Sequence, residues 1–212
     1  MVTIHRWLGS QKDKLAQALR AFAYRNGTPW GRRVVSEFWE TQASTIHARS
    51  GKDQHDFHVL GRIFKSYKVH SILDVGCGSG RLFELYAQYN IQDVVGIDIS
   101  EKALAIAQKR HPQVSTIQCQ VEELDFPPQH FDLAICNRVL QHIPLRMIAL
   151  AIQRLCTSCR MVYVNELTVS DQLHEEFFMF QHNYQELFAA QNFRLLEKGK
   201  LGQQTFQLYR MK

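Results

Sequence analysis

Along the middle of the chain, short apolar runs alternate with stretches whose apolar residues recur every three or four positions. The runs 71–75, 93–99, 114–120, 131–137 and 160–167 are of strand length, and the first two are rich in Val, Ile and Leu. Such runs, alternating with helical patterns, predict a parallel sheet covered on both faces. Between them, residues 80–89 set Leu82, Leu85, Tyr86 and Tyr89 along one helical face. Ser100 reads as the N-cap of a helix through Arg110, and Pro144 fits the first turn of a helix to Cys156. A further helix is expected over 172–191, with Leu173, Phe177, Phe180, Tyr184, Leu187 and Phe188 turned inward. Gly202 separates two closing strand-like runs, which predicts an antiparallel hairpin at the sheet edge. Before residue 71 the pattern is helical near 11–25, 31–47 and 54–67, with breaks at Gly27, Pro29 and Gly51.

The expected architecture is therefore α/β: a three-layer sandwich around a seven-stranded, mostly parallel sheet, with an antiparallel C-terminal hairpin and an N-terminal helical cap. The cap is expected over 1–68 and the core over 69–212. The length of 212 residues suits one such core with extra elements. No apolar run approaches the roughly 18 residues of a membrane span. The opening "MVTIHRWLGSQKDK" has no apolar signal-peptide core, and five scattered cysteines suit a reducing compartment, so a cytoplasmic location is expected.

Charge changes the picture at one end. Residues 1–52 hold nine Lys or Arg against three acids, a net of +6 in a chain that totals +5. A basic segment attracts nucleic acid, anionic lipid or an acidic small molecule, while dispersed charges also describe an ordinary solvated helical face.

The candidate chemistry begins at "ILDVGCGSGRLFELY", residues 72–86: strand, glycine loop, helix. Loops of this kind after the first strand of a parallel sheet hold ligands against bare amides. A dinucleotide fingerprint would need its third glycine at position 81, where this chain has Arg81. Asp74, two residues before Gly76, would repel a pyrophosphate and stabilise an ammonium group. Asp98, ending the second strand, is placed to accept ribose hydroxyls. The loop suits a nucleoside with a cationic amino-acid tail, which is S-adenosylmethionine.

At these residues the chain resembles the class I, Rossmann-like, S-adenosylmethionine-dependent methyltransferases. "LDVGCGSGR" matches the family's first motif, with its acid at Asp74. "VVGIDIS" matches the second, and "CQVEELDFPPQHFDLAICNRVLQHI" the adenine edge and fourth strand. The resemblance implies S-adenosylmethionine as cofactor. It implies contacts from Asp74, Gly76, Cys77, Gly78 and Gly80 of the loop, and from Asp98 and Ile99 at ribose and adenine. At the adenine edge it implies Gln120, Val121 and Glu122, with Gln120 standing where the family usually has an acid. Asn137 and Val139 would follow from the fourth strand. Apart from the resemblance, Trp39 in the cap is a candidate to close an aromatic face over the sulfonium, and Arg32, Arg33 or Arg49 to hold a carboxylate of the substrate or of the cofactor.

Methyl transfer is an in-line displacement that needs alignment and exclusion of water, and a base only when the acceptor starts protonated. The candidate catalytic groups are His142 past the fourth strand, Glu166 ending the fifth, and His174. Candidate acceptor contacts are Trp30, Arg33, Phe178 and His182. His174 and His182 lack a third partner for a metal, and the single pair Cys156 and Cys159 has no matching second pair. "CNRV" at the fourth strand and the absence of a Pro-Cys dipeptide exclude DNA amino-group and cytosine C5 methylation. The expectation is a methyltransferase acting on oxygen or nitrogen of a small molecule. The alternatives are an RNA methyltransferase using the basic segment, and a non-catalytic S-adenosylmethionine-binding partner protein.

Overall fold

The computed structural model describes residues 16, 18–50, 56–167 and 179–212. Helical residues 18–25 form α1, followed by α2 (Pro29–Ser50) and α3 (Phe57–Tyr67). The core then runs β1 (Ser71–Val75), α4 (Phe83–Gln88), β2 (Asp93–Asp98), α5 (Glu101–Arg110), β3 (Ser115–Gln118) and β4 (Phe131–Asn137). It closes with α6 (Ile148–Ser158), β5 (Cys159–Leu167), α7 (Tyr184–Ala189), β6 (Phe193–Leu201) and β7 (Gln204–Met211). The sheet has seven strands in the order β3-β2-β1-β4-β5-β7-β6. β1 to β5 pair in parallel, and β7 joins β5 and β6 antiparallel, as the hairpin at Gly202 predicts.

Alternation along the strands makes the three layers. Ile72, Leu133 and Tyr163 point into one apolar layer with α3, α4 and α5. Leu73, Ala134, Val162 and Val164 point into the other, with α6 and α7. The strand order reverses between β1 and β4, so a crevice opens beyond their carboxyl ends, where ligands bind in such sheets. The cap crosses that crevice. Tyr24 and Val35 are buried there, with Phe38, Trp39, Met179 and Phe180 packed around them. Glu40 of α2 accepts the Ser100 hydroxyl at 2.7 Å and the Lys102 amide at 3.2 Å, tying the cap to the start of α5.

Three expected elements differ. The helix expected over 172–191 is, in its described part, non-helical from 179 to 183, and α7 begins only at Tyr184. The Phe180 amide donates to the Gln141 carbonyl at 2.7 Å, and the Asn183 side chain caps α7. The helix expected from Pro144 starts at Ile148, because the Pro144 carbonyl takes the Met147 and Ile148 amides in a preceding turn. The helix expected from Gly80 starts at Phe83, since Gly80 sits at φ +76°. Among the described residues, no helix is long and apolar enough to cross a membrane.

Candidate active site

The loop after β1 is built from backbone outward. Gly76 and Gly78 adopt left-handed φ values of +66° and +54°, which glycine reaches without steric cost. A side-chain carbon at Gly76 would lie 2.4 Å from Val139, whereas one at Gly78 would meet nothing within 4 Å. Gly76 is thus pressed against the β4 loop, and Gly78 faces open space. The Asp98 carboxylate accepts the Gly78 amide at 2.9 Å and the Ser100 amide at 2.8 Å, joining the ends of β1 and β2. Burial raises the Asp98 carboxyl, with the Ser100, Gly78 and Ile99 amides opposing.

Asp74 is buried at the floor of the crevice and accepts the Tyr86 hydroxyl at 3.0 Å. Burial pushes its carboxyl up to about 7, against the pull of Tyr86 and Arg81, with Asp56 and Asp98 adding to the rise. The floor is therefore a carboxyl that lacks a full counter-charge. Arg81 is engaged elsewhere: it grips both Asp56 carboxylate oxygens at 3.0 Å, and Asn137 also donates to Asp56.

One cavity of about 910 Å³ gathers these groups. Asp74, Gly76, Cys77, Gly78, Asp98 and Ile99 line it from β1 and β2. Gln120, Val121 and Glu122 close its far end, and Asn137, Val139 and His142 line it from β4. Trp39 comes down from the cap onto His142, with ring centroids 5.0 Å apart. The Tyr24 hydroxyl donates to the His142 carbonyl on the same side.

Residues 72–161 match the family model described as a methyltransferase domain. Ubiquinone biosynthesis O-methyltransferase from Albidiferax ferrireducens is 37% identical over 79 residues, covering 34% of this chain and 31% of that protein. The protein of that name from Alkalilimnicola ehrlichii is 33% identical over 121 residues, covering 52% and 46%. The chain thus matches less than half the length of these curated relatives. In structure, magnesium protoporphyrin IX methyltransferase from Synechocystis PCC 6803, with bound S-adenosylhomocysteine, superposes with a TM-score of 0.71 at 17% identity. That superposition covers 85% of this chain and all of the other.

The chain has the Rossmann-like methyltransferase fold, and its residues 72–161 match a methyltransferase domain.

Several expected site residues lie outside the lining of this cavity. Gly80 sits behind the loop, against Phe83 and His111. Trp30 is 51% exposed, and Arg33 lies on the surface paired with Glu37 at 2.9 Å. Trp30 and Trp39 are nine positions apart on α2, about 180° around a helix of 3.6 residues per turn, so only one can face the cavity. Glu166 does not reach the rim. It follows Val162 and Val164 at period two, so it points into the α6–α7 layer and is buried. His182 lies beside Phe180 and Tyr184, with burial lowering its imidazole. His174 and Phe178 fall outside the described residues, as does the side chain of Arg49 on the last turn of α2.

Sequence reasoning passed over Tyr86, Asp56 and Tyr24. Tyr86 was legible only as a core residue on an apolar stripe, and nothing local marks Asp56 in "DQHDFH". Among the described residues, no group of three or more His, Cys, Asp or Glu is placed to hold a metal. Cys156 and Cys159 are buried free thiols, pushed up by that burial.

Proposed function

We propose that this protein is an S-adenosylmethionine-dependent methyltransferase that acts on an oxygen or nitrogen of a small molecule. The observation that carries the reading is the pairing of a buried, poorly compensated Asp74 with an open glycine loop at Gly78 in one cavity. A cationic amino-acid tail compensates Asp74, and the bare Gly78 amide region admits close approach. The residues present fit this cofactor. Asp74 would hold its ammonium group, Asp98 its ribose, and Val121 with Gln120 the adenine edge. When bound, the cofactor supplies a methyl group on a sulfonium centre.

The chain's own residues do the rest. Trp39, Phe38 and Val35 line the cavity from α2, and the aromatic face of Trp39 favours a cation beneath it. His142 is the side chain placed to take a proton from an acceptor hydroxyl or amine. The cavity runs on past Val139 to Leu167, Met179 and Gln203, which supports a compact acceptor enclosed by the protein. We read residues 1–68 as the cap on a 69–212 core. The five free cysteines support a reducing, cytoplasmic setting.

Calorimetry with S-adenosylhomocysteine tests the cofactor half: saturable one-to-one binding is expected, and its absence would overturn the reading. The acceptor half is tested by radiolabelled methyl transfer to fractionated small-molecule and RNA extracts. Label is expected in the small-molecule fraction, and label confined to RNA would move the acceptor to the alternative class.

A further inference from the structure

The loop between β4 and α6 carries both Val139 and His142, and its backbone is under strain. Arg138 stands in the left-handed region at φ +60°, a conformation that a non-glycine residue holds only when its surroundings impose it. The end of β5 restrains it. The Arg138 amide donates to the Asn165 carbonyl at 2.8 Å. The Val139 and Leu140 amides both donate to one oxygen of Glu166, at 3.2 and 2.8 Å. The Leu167 amide in turn donates to the Gln141 side chain at 3.1 Å. Glu166 and Gln141 are each 5% exposed, so these bonds are largely shielded from solvent.

We propose that Glu166 is a positioning residue of the methyl-transfer site. Its carboxyl holds the Val139 and Leu140 amides, which keeps Val139 against Gly76 of the glycine loop and His142 against Trp39 across the cavity. The inference rests on the methyltransferase reading for its purpose, and on the loop geometry for its content. A single acceptor gathering two successive amides selects one loop conformation, which neither a shorter nor an apolar side chain does. The groups facing Glu166 are Arg138 on the loop, Cys136 on β4 and Tyr184 on α7. Burial pushes the carboxyl up to about 8, with the Leu140, Val139 and Gln141 amides and Arg138 opposing. An ionised carboxylate is the stronger acceptor for amides, so the clamp tightens as pH rises through that value.

The test uses the full chain with Trp7→Phe and Trp30→Phe, leaving Trp39 as the one indole. Protonated imidazole quenches a neighbouring indole, so a fluorescence titration reads His142 against Trp39. The expected result is a clear quenching step in this background, retained in Glu166→Gln and cut by more than about half in Glu166→Ala. Calorimetry with S-adenosylhomocysteine is expected to give Glu166→Gln the parent affinity at low pH and about three- to tenfold weaker affinity well above pH 8. Glu166→Gln supplies this second reading even where Glu166→Ala fails to fold. An unchanged quenching step in Glu166→Ala, or a Gln-to-parent affinity ratio that does not vary with pH, would overturn the proposal. Failure of the parent protein to bind S-adenosylhomocysteine would instead count against the methyltransferase reading, with the fluorescence arm still deciding the role of Glu166.

Discussion

The Tyr86 hydroxyl donates to the Asp74 carboxyl at 3.0 Å on the floor of the cavity, and both side chains are buried. That bond lowers the Asp74 carboxyl while burial raises it to about 7. An ammonium group arriving beside Asp74 would lower it much further and drive off the proton. S-adenosylhomocysteine affinity is therefore expected to rise with pH up to about 7 and then level off. Calorimetry in buffers of different ionisation heat should show about one proton released near pH 6. Asp74→Asn removes both the proton release and about tenfold or more of the affinity. Tyr86→Phe, which deletes a group that lowers Asp74, moves the profile to higher pH.

Asp74 and Glu166 together set a pH dependence of folding. Asp74 at about 7 and Glu166 at about 8 are raised from ordinary values of 3.8 and 4.5. The folded chain holds protons that the unfolded chain releases, so this stabilisation is complete below about pH 4 and lost as pH climbs through 7 and 8. Urea unfolding across pH 4 to 9 is expected to show stability falling in that window. A double variant carrying Asp74→Asn and Glu166→Gln should flatten the curve.

Gly76 and Gly78 separate packing from ligand access. Gly76→Ala drives a methyl group to 2.4 Å from Val139 at an unfavourable φ, so a loss of about 2–3 kcal/mol in stability is expected. Gly78→Ala meets nothing within 4 Å and costs only about 1–2 kcal/mol from its left-handed φ. Its methyl group enters the cavity instead. Thermal unfolding with and without S-adenosylhomocysteine should show Gly78→Ala losing ligand-induced stabilisation out of proportion to its own destabilisation.

The Asp56–Arg81 pair is 3% and 12% exposed and bidentate. Breaking a buried pair by removing one partner costs about 3–5 kcal/mol, whereas replacing both is far milder. Arg81→Met alone is therefore expected to destabilise strongly, and Arg81→Met with Asp56→Leu to recover part of the loss. A double-mutant cycle from urea unfolding measures the difference.

The elements that were legible share one property: their signal is local. β1, β2 and β4 are short, mostly apolar runs of strand length, and the Gly202 turn marks its own hairpin. The segment around 179–183 was misread because its apolar spacing suits a helix equally well. Its actual course depends on the Gln141 carbonyl, some forty residues earlier. Glu166 was misplaced for a similar reason. Period two shows that it shares a side with Val162 and Val164, but only α6 and α7 make that side the interior.

The sequence by itself determined the sheet, the glycine loop and the β1–β2 end of the cavity, because Asp74, Gly76, Gly78 and Asp98 are placed by short-range backbone geometry at strand ends. Only the tertiary structure decided which face of α2 looks down into the cavity. That choice put Trp39 over His142 and left Trp30 and Arg33 outside. A helix carries no local mark of its rotation about its own axis; the rotation is set by what it packs against, here Tyr24, His142 and the start of α5.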